Sequence, residues 1–363
     1  MTEFPLSDLL RPELAELKPY LPTLGDFHVR LDANEAPPLF PGHVRDRLQQ
    51  ALSEVECERY PDPLMAELRA AIARHTGVSS EEVLAGVGSD EIISLLLTVL
   101  ARPRPGSDAA SIVTTTPSFV MYKLSARVRG QRVLEVPLDA EWDIAGEALV
   151  RAIEFGQPHV VFIASPNNPT GTMASRDRLA KVIEAAPSSL VVVDEAYVDY
   201  ADRDQLDLYR RYPNVALLRT LSKIGFAALR VGWLVARPEL VAEVDKARLP
   251  YNLNSYSQKV ATLALSELGP AIKTVLGTVI GERERLAAEL AKLPGLIVTP
   301  SQANFLWFRS ERPASEVFSG LCARKVLVRS FHERGGRLAH QLRVTIGTPE
   351  ENDEFLRCLR EVM

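Results

Sequence analysis

The chain has 363 residues, 46% of them hydrophobic, and its 42 Lys and Arg against 47 Asp and Glu give a formal net charge of -5. That length supports a large core with a smaller companion unit. A mild acidity spread along the whole chain, with no basic block or acidic tail, excludes an electrostatic binder of nucleic acid or membrane surfaces.

The N-terminus, Met1-Thr2-Glu3-Phe4-Pro5, has neither a basic nor an apolar leader region. The longest apolar run, 92–101, is broken by Ser94 and Thr98 and is too short to span a bilayer. A soluble cytoplasmic protein is expected. The three cysteines, Cys57, Cys322 and Cys358, are far apart with no CxxC pair. They read as buried free thiols in a reducing compartment, and no metal site is expected.

Residues 1–40 are rich in proline and turn-formers and read as an irregular arm. Leu64, Leu68 and Ile72 predict an amphipathic helix over 62–75. Short apolar runs, each closed by a turn signal, then alternate with helical stretches. Val83-Leu84-Ala85-Gly86-Val87 precedes a helix over 91–100, Ile112-Val113-Thr114 one over 119–127, and Val160-Val161-Phe162-Ile163-Ala164 one over 176–186. Leu190-Val191-Val192-Val193 ends at Asp194, and the run 215–218 leads to Lys223. Continuous β-branched runs between helices imply an α/β unit over 41–255, with a mainly parallel sheet covered on both faces. Ligands of such sheets sit at the carboxyl ends of the strands, where this chain concentrates its polar residues. After Pro250 the character changes to long helices over 257–279 and 281–293, strands over 303–308, 326–328 and 342–346, and a helix over 313–324. A last helix opens at Pro349 with Thr348 as N-cap. This is a smaller α+β unit over 256–363.

Three segments carry chemistry. Thr220-Leu221-Ser222-Lys223, with Arg230 seven residues on, holds a lysine that is either a surface charge or an amine ready to bond an aldehyde. Ser165-Pro166-Asn167-Asn168-Pro169-Thr170-Gly171-Thr172 reads on its own as a tight loop. Asp194-Glu195-Ala196-Tyr197 could merely terminate its strand. In this order, the three together resemble the class I/II aminotransferases of fold type I, and the likeness runs from about Leu31 to the last helix.

That resemblance implies pyridoxal 5'-phosphate as cofactor. It implies that Lys223 holds the cofactor's aldehyde and later moves the substrate's α-proton. Asp194 would pair with the ring nitrogen and keep it protonated, because a pyridinium is the better electron sink. Tyr197 and Asn168 would meet the ring's phenolic oxygen. The phosphate dianion would lie at Ser89, Asp90 and Glu91, where a helix start offers free N–H groups, with Thr220, Ser222 and Arg230 completing the cradle. Phe119 is either a core residue or the aromatic that stacks on the ring. Tyr60, in Arg59-Tyr60-Pro61-Asp62, is either a surface aromatic or the family tyrosine that reaches the neighbouring subunit's phosphate. In the second case the unit is a homodimer with shared active sites.

Arg343, in Leu342-Arg343-Val344-Thr345, matches the family arginine that grips a carboxylate, and Arg329 is a second candidate. The nearest branch in pattern is the histidinol-phosphate aminotransferases. Leu31-Asp32-Ala33-Asn34-Glu35-Ala36-Pro37, Arg59-Tyr60-Pro61, Gly88-Ser89-Asp90-Glu91 and the two arginines carry that likeness. It implies exchange of an amino group between L-histidinol phosphate and 2-oxoglutarate, giving imidazole-acetol phosphate and glutamate, in histidine biosynthesis. Asn34, Tyr20 and Tyr251 are the further substrate contacts it suggests, the tyrosines as walls for the imidazole. Phe119 replaces a tyrosine common in this branch, and the Lys223 to Arg230 spacing is one residue tighter. Aromatic aminotransferases and threonine-phosphate decarboxylases share the catalytic residues, so the sequence separates them poorly. A dinucleotide-binding oxidoreductase is excluded because no GxGxxG follows a strand. A DNA-binding sensor is excluded because the arm before Leu31 is too short for such a module.

Overall fold

The computed structural model describes residues 6–17, 19, 21 and 23–363. Its strands, in chain order, are β1 (Val29–Arg30), β2 (Val83–Val87), β3 (Ser111–Thr116), β4 (Arg132–Pro137), β5 (Val160–Ala164), β6 (Leu190–Asp194), β7 (Val215–Thr220), β8 (Val231–Val235), β9 (Leu296–Thr299), β10 (Phe305–Ser310), β11 (Val326–Leu327), β12 (Arg329–Ser330) and β13 (Gln341–Thr345).

Seven of them form one sheet in the order β2-β8-β7-β6-β5-β3-β4. Strands β3 to β7 pair in parallel, while β8 runs antiparallel to both β7 and β2. The alternation of side chains along each strand splits the core between two faces. Val113, Val161, Val191, Val193 and Leu217 pack on one side. Ile112, Phe162, Val192, Ala216 and Leu218 pack on the other. Because β8 reverses twice, β2, β3, β5, β6 and β7 all end on the same edge. The residues just beyond those ends are Gly88, Phe119, Asn168, Asp194 to Tyr197 and Lys223.

Two strands of this sheet went unforeseen. β4 is an edge strand with Arg132, Glu135 and Pro137 exposed, and β8 carries Gly232 in a short run beside Arg230. The helix expected over 62–75 begins at Ala66, because Asp62 accepts hydrogen bonds from the N–H groups of Leu64 (2.9 Å) and Ala66 (2.8 Å) and so closes a turn in front of it. The helix expected from residue 91 starts at Gly88.

Beyond residue 250 the helices are Ser255–Ser266 and Gly269–Ala291, so the break lies at 267–268 rather than near Gly281. Pro270, at the first turn of the second helix, cannot continue the one before it. Gly277 and Gly281 remain inside the long helix, where nothing crowds them. A four-stranded antiparallel sheet has the order β12-β13-β10-β9. β11 does not join it: it pairs in parallel with β1 of the N-terminal arm. The arm then continues beside β13, where Thr345 N–H donates to the Leu31 carbonyl at 2.9 Å. The final helix, Pro349–Val362, has its predicted cap: Thr348 and Glu351 bond each other's backbone N–H groups.

Only Cys358 is buried; Cys57 is exposed and Cys322 intermediate, so the expectation of three buried thiols fails at two positions. Cys57 follows the Gly42–Ser53 helix in a surface turn, and Cys322 sits in the last turn of the Ala314–Ala323 helix. Among the described residues no single helix is long and apolar enough to cross a membrane.

Candidate active site

The end of β2 passes directly into the Gly88–Val99 helix, whose first N–H groups have no partner within the helix. This helix start sits hard against β8. A Cβ on Gly232 would come within 2.5 Å of the Ser89 nitrogen and 2.6 Å of the Gly88 carbonyl carbon. Gly88 itself has φ +71°, and a Cβ there would meet Arg230 Nη2 at 2.7 Å. Arg230 therefore lies across the helix start. Its own φ of +54° costs a non-glycine residue about 1 kcal/mol, a strain concentrated at a polar site. Its guanidinium donates to Ser222 Oγ (3.3 Å) and Asp90 Oδ2 (3.3 Å), and Thr220 Oγ1 lies 3.0 Å from Ser222 Oγ. A helix N-terminus, two hydroxyls and a guanidinium converging on one spot suit a dianion. Glu91 does not belong to this group. Its carboxylate turns back to the Val87 N–H (2.6 Å) and to Asn252 Nδ2 (2.7 Å), tying the helix start to the loop before residue 255.

At the other end of the pocket is Asp194, 4% exposed. Its Oδ2 accepts from the Tyr122 hydroxyl at 2.5 Å, and its Oδ1 from the Ala196 N–H at 3.0 Å. Burial pushes its pKa up to about 6, and these two hydrogen bonds pull it back only partway. The Tyr122 phenol is driven well above its ordinary range by burial and by the neighbouring Asp194 charge. Tyr122 stacks on Phe162 at 4.7 Å and meets Phe119 edge-on at 5.5 Å. It is a site residue that the sequence reading missed. Its position three residues after Phe119 was the available signal.

Lys223 Nζ lies 5.8 Å from the centre of the Tyr197 ring, and the Tyr200 hydroxyl fixes the Lys223 carbonyl at 2.6 Å. One pocket is lined by Ser89, Asp90, Phe119, Tyr122, Asn168, Asp194, Tyr197, Thr220, Ser222, Lys223 and Arg230. Behind it, on the opposite face of the strand ends, Arg219 binds Glu195 (2.7 Å) and Asp204 (3.0 Å). Burial raises Glu195 to about 7 even against that arginine.

The remaining expected residues lie outside this lining. Arg343, on β13 and 7% exposed, donates from Nη1 to Asn168 Oδ1 (2.5 Å) and from Nη2 to the Asp32 carbonyl (2.6 Å). It also lies 5.3 Å over the Phe305 ring, which meets Tyr197 edge-on. Arg329 stands directly opposite Arg343 in the β12–β13 pair. Like charges at such positions repel, so the arrangement favours a shared anion. Burial and the charge of Arg329 together lower the pKa of a third arginine, Arg334. Asn34 is 1% exposed and donates to the Tyr197 hydroxyl at 2.9 Å, a partner its segment did not reveal. Tyr60 and Tyr251 stack on each other at 4.6 Å, and Tyr60 is 81% exposed. Tyr20 lies outside the described residues.

Known proteins share this architecture. A family model described as aminotransferase class I and II matches residues 28–359. The histidinol-phosphate aminotransferase of Aquifex aeolicus is 38% identical over 353 residues, which is 97% of this chain and 98% of that protein. Histidinol-phosphate aminotransferase 1 of Carboxydothermus hydrogenoformans is 39% identical over 350 residues, covering 96% of this chain and 97% of that one. The crystal structure of histidinol-phosphate aminotransferase from Sinorhizobium meliloti in complex with pyridoxal-5'-phosphate has a TM-score of 0.84 at 25% identity, covering 97% of this chain and 96% of the other.

Proposed function

This chain belongs to the class I and II aminotransferases, and we propose that, with pyridoxal phosphate bound, it exchanges an amino group between L-histidinol phosphate and 2-oxoglutarate in histidine biosynthesis. The observation that carries this reading is the meeting, in one pocket, of the Lys223 amine, the buried Asp194 carboxylate and the anion cradle of Ser89, Ser222 and Arg230. The full-length likeness to histidinol-phosphate aminotransferases supports the substrate.

The pocket fits the cofactor on two counts. The missing Cβ at Gly232 lets the helix N-terminus seat against β8, and the missing Cβ at Gly88 lets Arg230 lie across it, so free N–H groups and a guanidinium meet where a phosphate is suited. Asp194 is a buried carboxylate raised to about 6 because hydrogen bonds alone do not offset its burial, and a protonated ring nitrogen would supply the positive charge it lacks.

When bound, the cofactor supplies an electron sink for the pair left on the substrate carbon as its proton departs. The protein's part is positioning and proton transfer. Asp194 holds a proton on the ring nitrogen, and Lys223 Nζ moves the α-proton. Asn168 and Tyr197 would hold the phenolic oxygen of the bound ring, and Phe119 would pack against it. Arg343, already tied to Asn168, reaches the pocket from β13. With Arg329 it receives the carboxylate of glutamate in one half of the cycle and the phosphate of histidinol phosphate in the other.

The same reading makes the unit a cytoplasmic homodimer, with Tyr60 extended from its own surface towards the partner's cradle. It gives residues 41–255 the cofactor, and 1–40 with 256–363 the cover over the substrate. A panel of amino donors tests the substrate: L-histidinol phosphate should show the highest kcat/KM, above tyrosine, phenylalanine, aspartate and threonine phosphate. Preference for an aromatic amino acid, or release of carbon dioxide from threonine phosphate, would overturn it.

A further inference from the structure

Behind Tyr197 runs a short chain of hydrogen bonds in which every proton has one available direction. Thr345, buried on β13, accepts the Asn34 backbone N–H at 3.0 Å and donates its own hydroxyl proton to Asn34 Oδ1 at 3.1 Å. Asn34 Nδ2 then donates to the Tyr197 hydroxyl oxygen at 2.9 Å. The reversed amide would place two donors on Thr345 Oγ1 and remove the acceptor of the threonine proton, so the network itself selects this orientation. Asn34 is held rigidly enough to impose it. Its carbonyl accepts from Asn304 Nδ2 at 3.0 Å, and it sits at φ +55°, a conformation asparagine tolerates better than most residues. A hydroxyl that receives a donor on its oxygen has its one proton left to give elsewhere. For Tyr197 the open direction is the pocket that it lines with Lys223.

We propose that Thr345 and Asn34 are positioning residues that aim the Tyr197 proton into the pocket, making this tyrosine an obligate donor to the cofactor's phenolic oxygen. The inference rests on the cofactor reading given above. It also gives the three parts of the chain a common task. The arm supplies Asn34, the antiparallel sheet supplies Thr345, and the loop after β6 supplies Tyr197. A correctly packed arm is then a condition for a correctly tuned cofactor. A donor at the phenolic oxygen lowers its basicity, so losing that donor should make the proton nearest the oxygen harder to remove.

The test uses cofactor-loaded protein without substrate and follows the pH midpoint of its absorbance change. Alongside it, the dissociation constant of pyridoxal phosphate is measured on cofactor-free protein by quenching of intrinsic fluorescence. Thr345→Val and Asn34→Ala should each raise the midpoint in the same direction as Tyr197→Phe, by roughly half a pH unit to one unit, and weaken cofactor binding about 3- to 10-fold. In a Tyr197→Phe background neither substitution should shift the midpoint further, a result that a merely structural role would not give. Should Asn34→Ala fail to fold, the nearly isosteric Thr345→Val carries the test. Equal shifts with and without the Tyr197 hydroxyl, or no shift in a folded variant, would overturn the proposal. Wild-type protein that takes up no cofactor would instead sink the functional reading, and this inference with it.

Discussion

Asp194 sits where a carboxylate is least comfortable, and its discomfort has a measurable sign. Its folded pKa of about 6 exceeds the ordinary 3.8, so the folded cofactor-free protein binds more protons than the unfolded chain between those values. Stability from this residue is therefore full below about pH 4, declines as pH rises towards 6, and stays low above it. The two-unit shift corresponds to roughly 3 kcal/mol. Urea melts of cofactor-free protein should find Asp194→Asn more stable than wild type at pH 8 and nearly equal at pH 4, while its activity is lost. Equal stability of the two proteins at pH 8 would contradict the account. Glu195 pushes in the same direction, which is why the comparison between the two proteins, rather than the wild-type curve, isolates Asp194. At this scale the sequence was most legible where a residue follows a strand end. Lys223, Asp194, Tyr197 and Asn168 all do, and all line one pocket. The bond from Tyr122 to Asp194 and the partner of Asn34 were not legible, because these hydrogen bonds join residues 72 and 163 positions apart, and nothing in local spacing encodes such distances.

The element that matters most is the Gly88–Val99 helix, because its first turn is both the proposed anion site and a packing surface. Its seat depends on a glycine in a strand that no pattern announced. Gly232→Ala would force Ser89 and Gly88 away from β8, since the neighbouring atoms are backbone and cannot rotate aside. Cofactor affinity should fall about 10-fold or more while the far-UV circular dichroism stays close to wild type. Unchanged affinity would show that the helix start does not hold the phosphate. The longer helices teach a related lesson. Gly281 suggested a break, yet a glycine in a helix costs only about 1 kcal/mol, which tertiary packing absorbs. Pro270 is the stronger punctuation, because it lacks the N–H that the preceding helix would need. The strand expected at 326–328 is present as β11, but its partner was not legible. Its partner is the arm, and two residues of pairing leave no periodic trace.

Across the whole molecule, the site is assembled from two sheets and an arm that crosses between them. The seven-stranded sheet was readable in outline because buried parallel strands are continuous β-branched runs. Its order was not, since β2 lies at the far edge beyond β8 and β3 lies between β5 and β4. In the proposed homodimer, the exposed Tyr60, stacked on Tyr251, would serve the neighbouring subunit's site. Sedimentation should give twice the chain mass, and Tyr60→Ala should weaken cofactor binding several-fold although Tyr60 does not line the pocket of its own chain. A monomer with full cofactor affinity would overturn the shared site. The most direct test of the central claim is a single half-reaction. Stoichiometric L-histidinol phosphate is mixed with cofactor-loaded protein, and 2-oxoglutarate is added after the absorbance settles. The account predicts a spectral change on the first addition, its reversal on the second, and neither in Lys223→Ala. A wild-type spectrum that ignores L-histidinol phosphate, while responding to another amino donor, would contradict it.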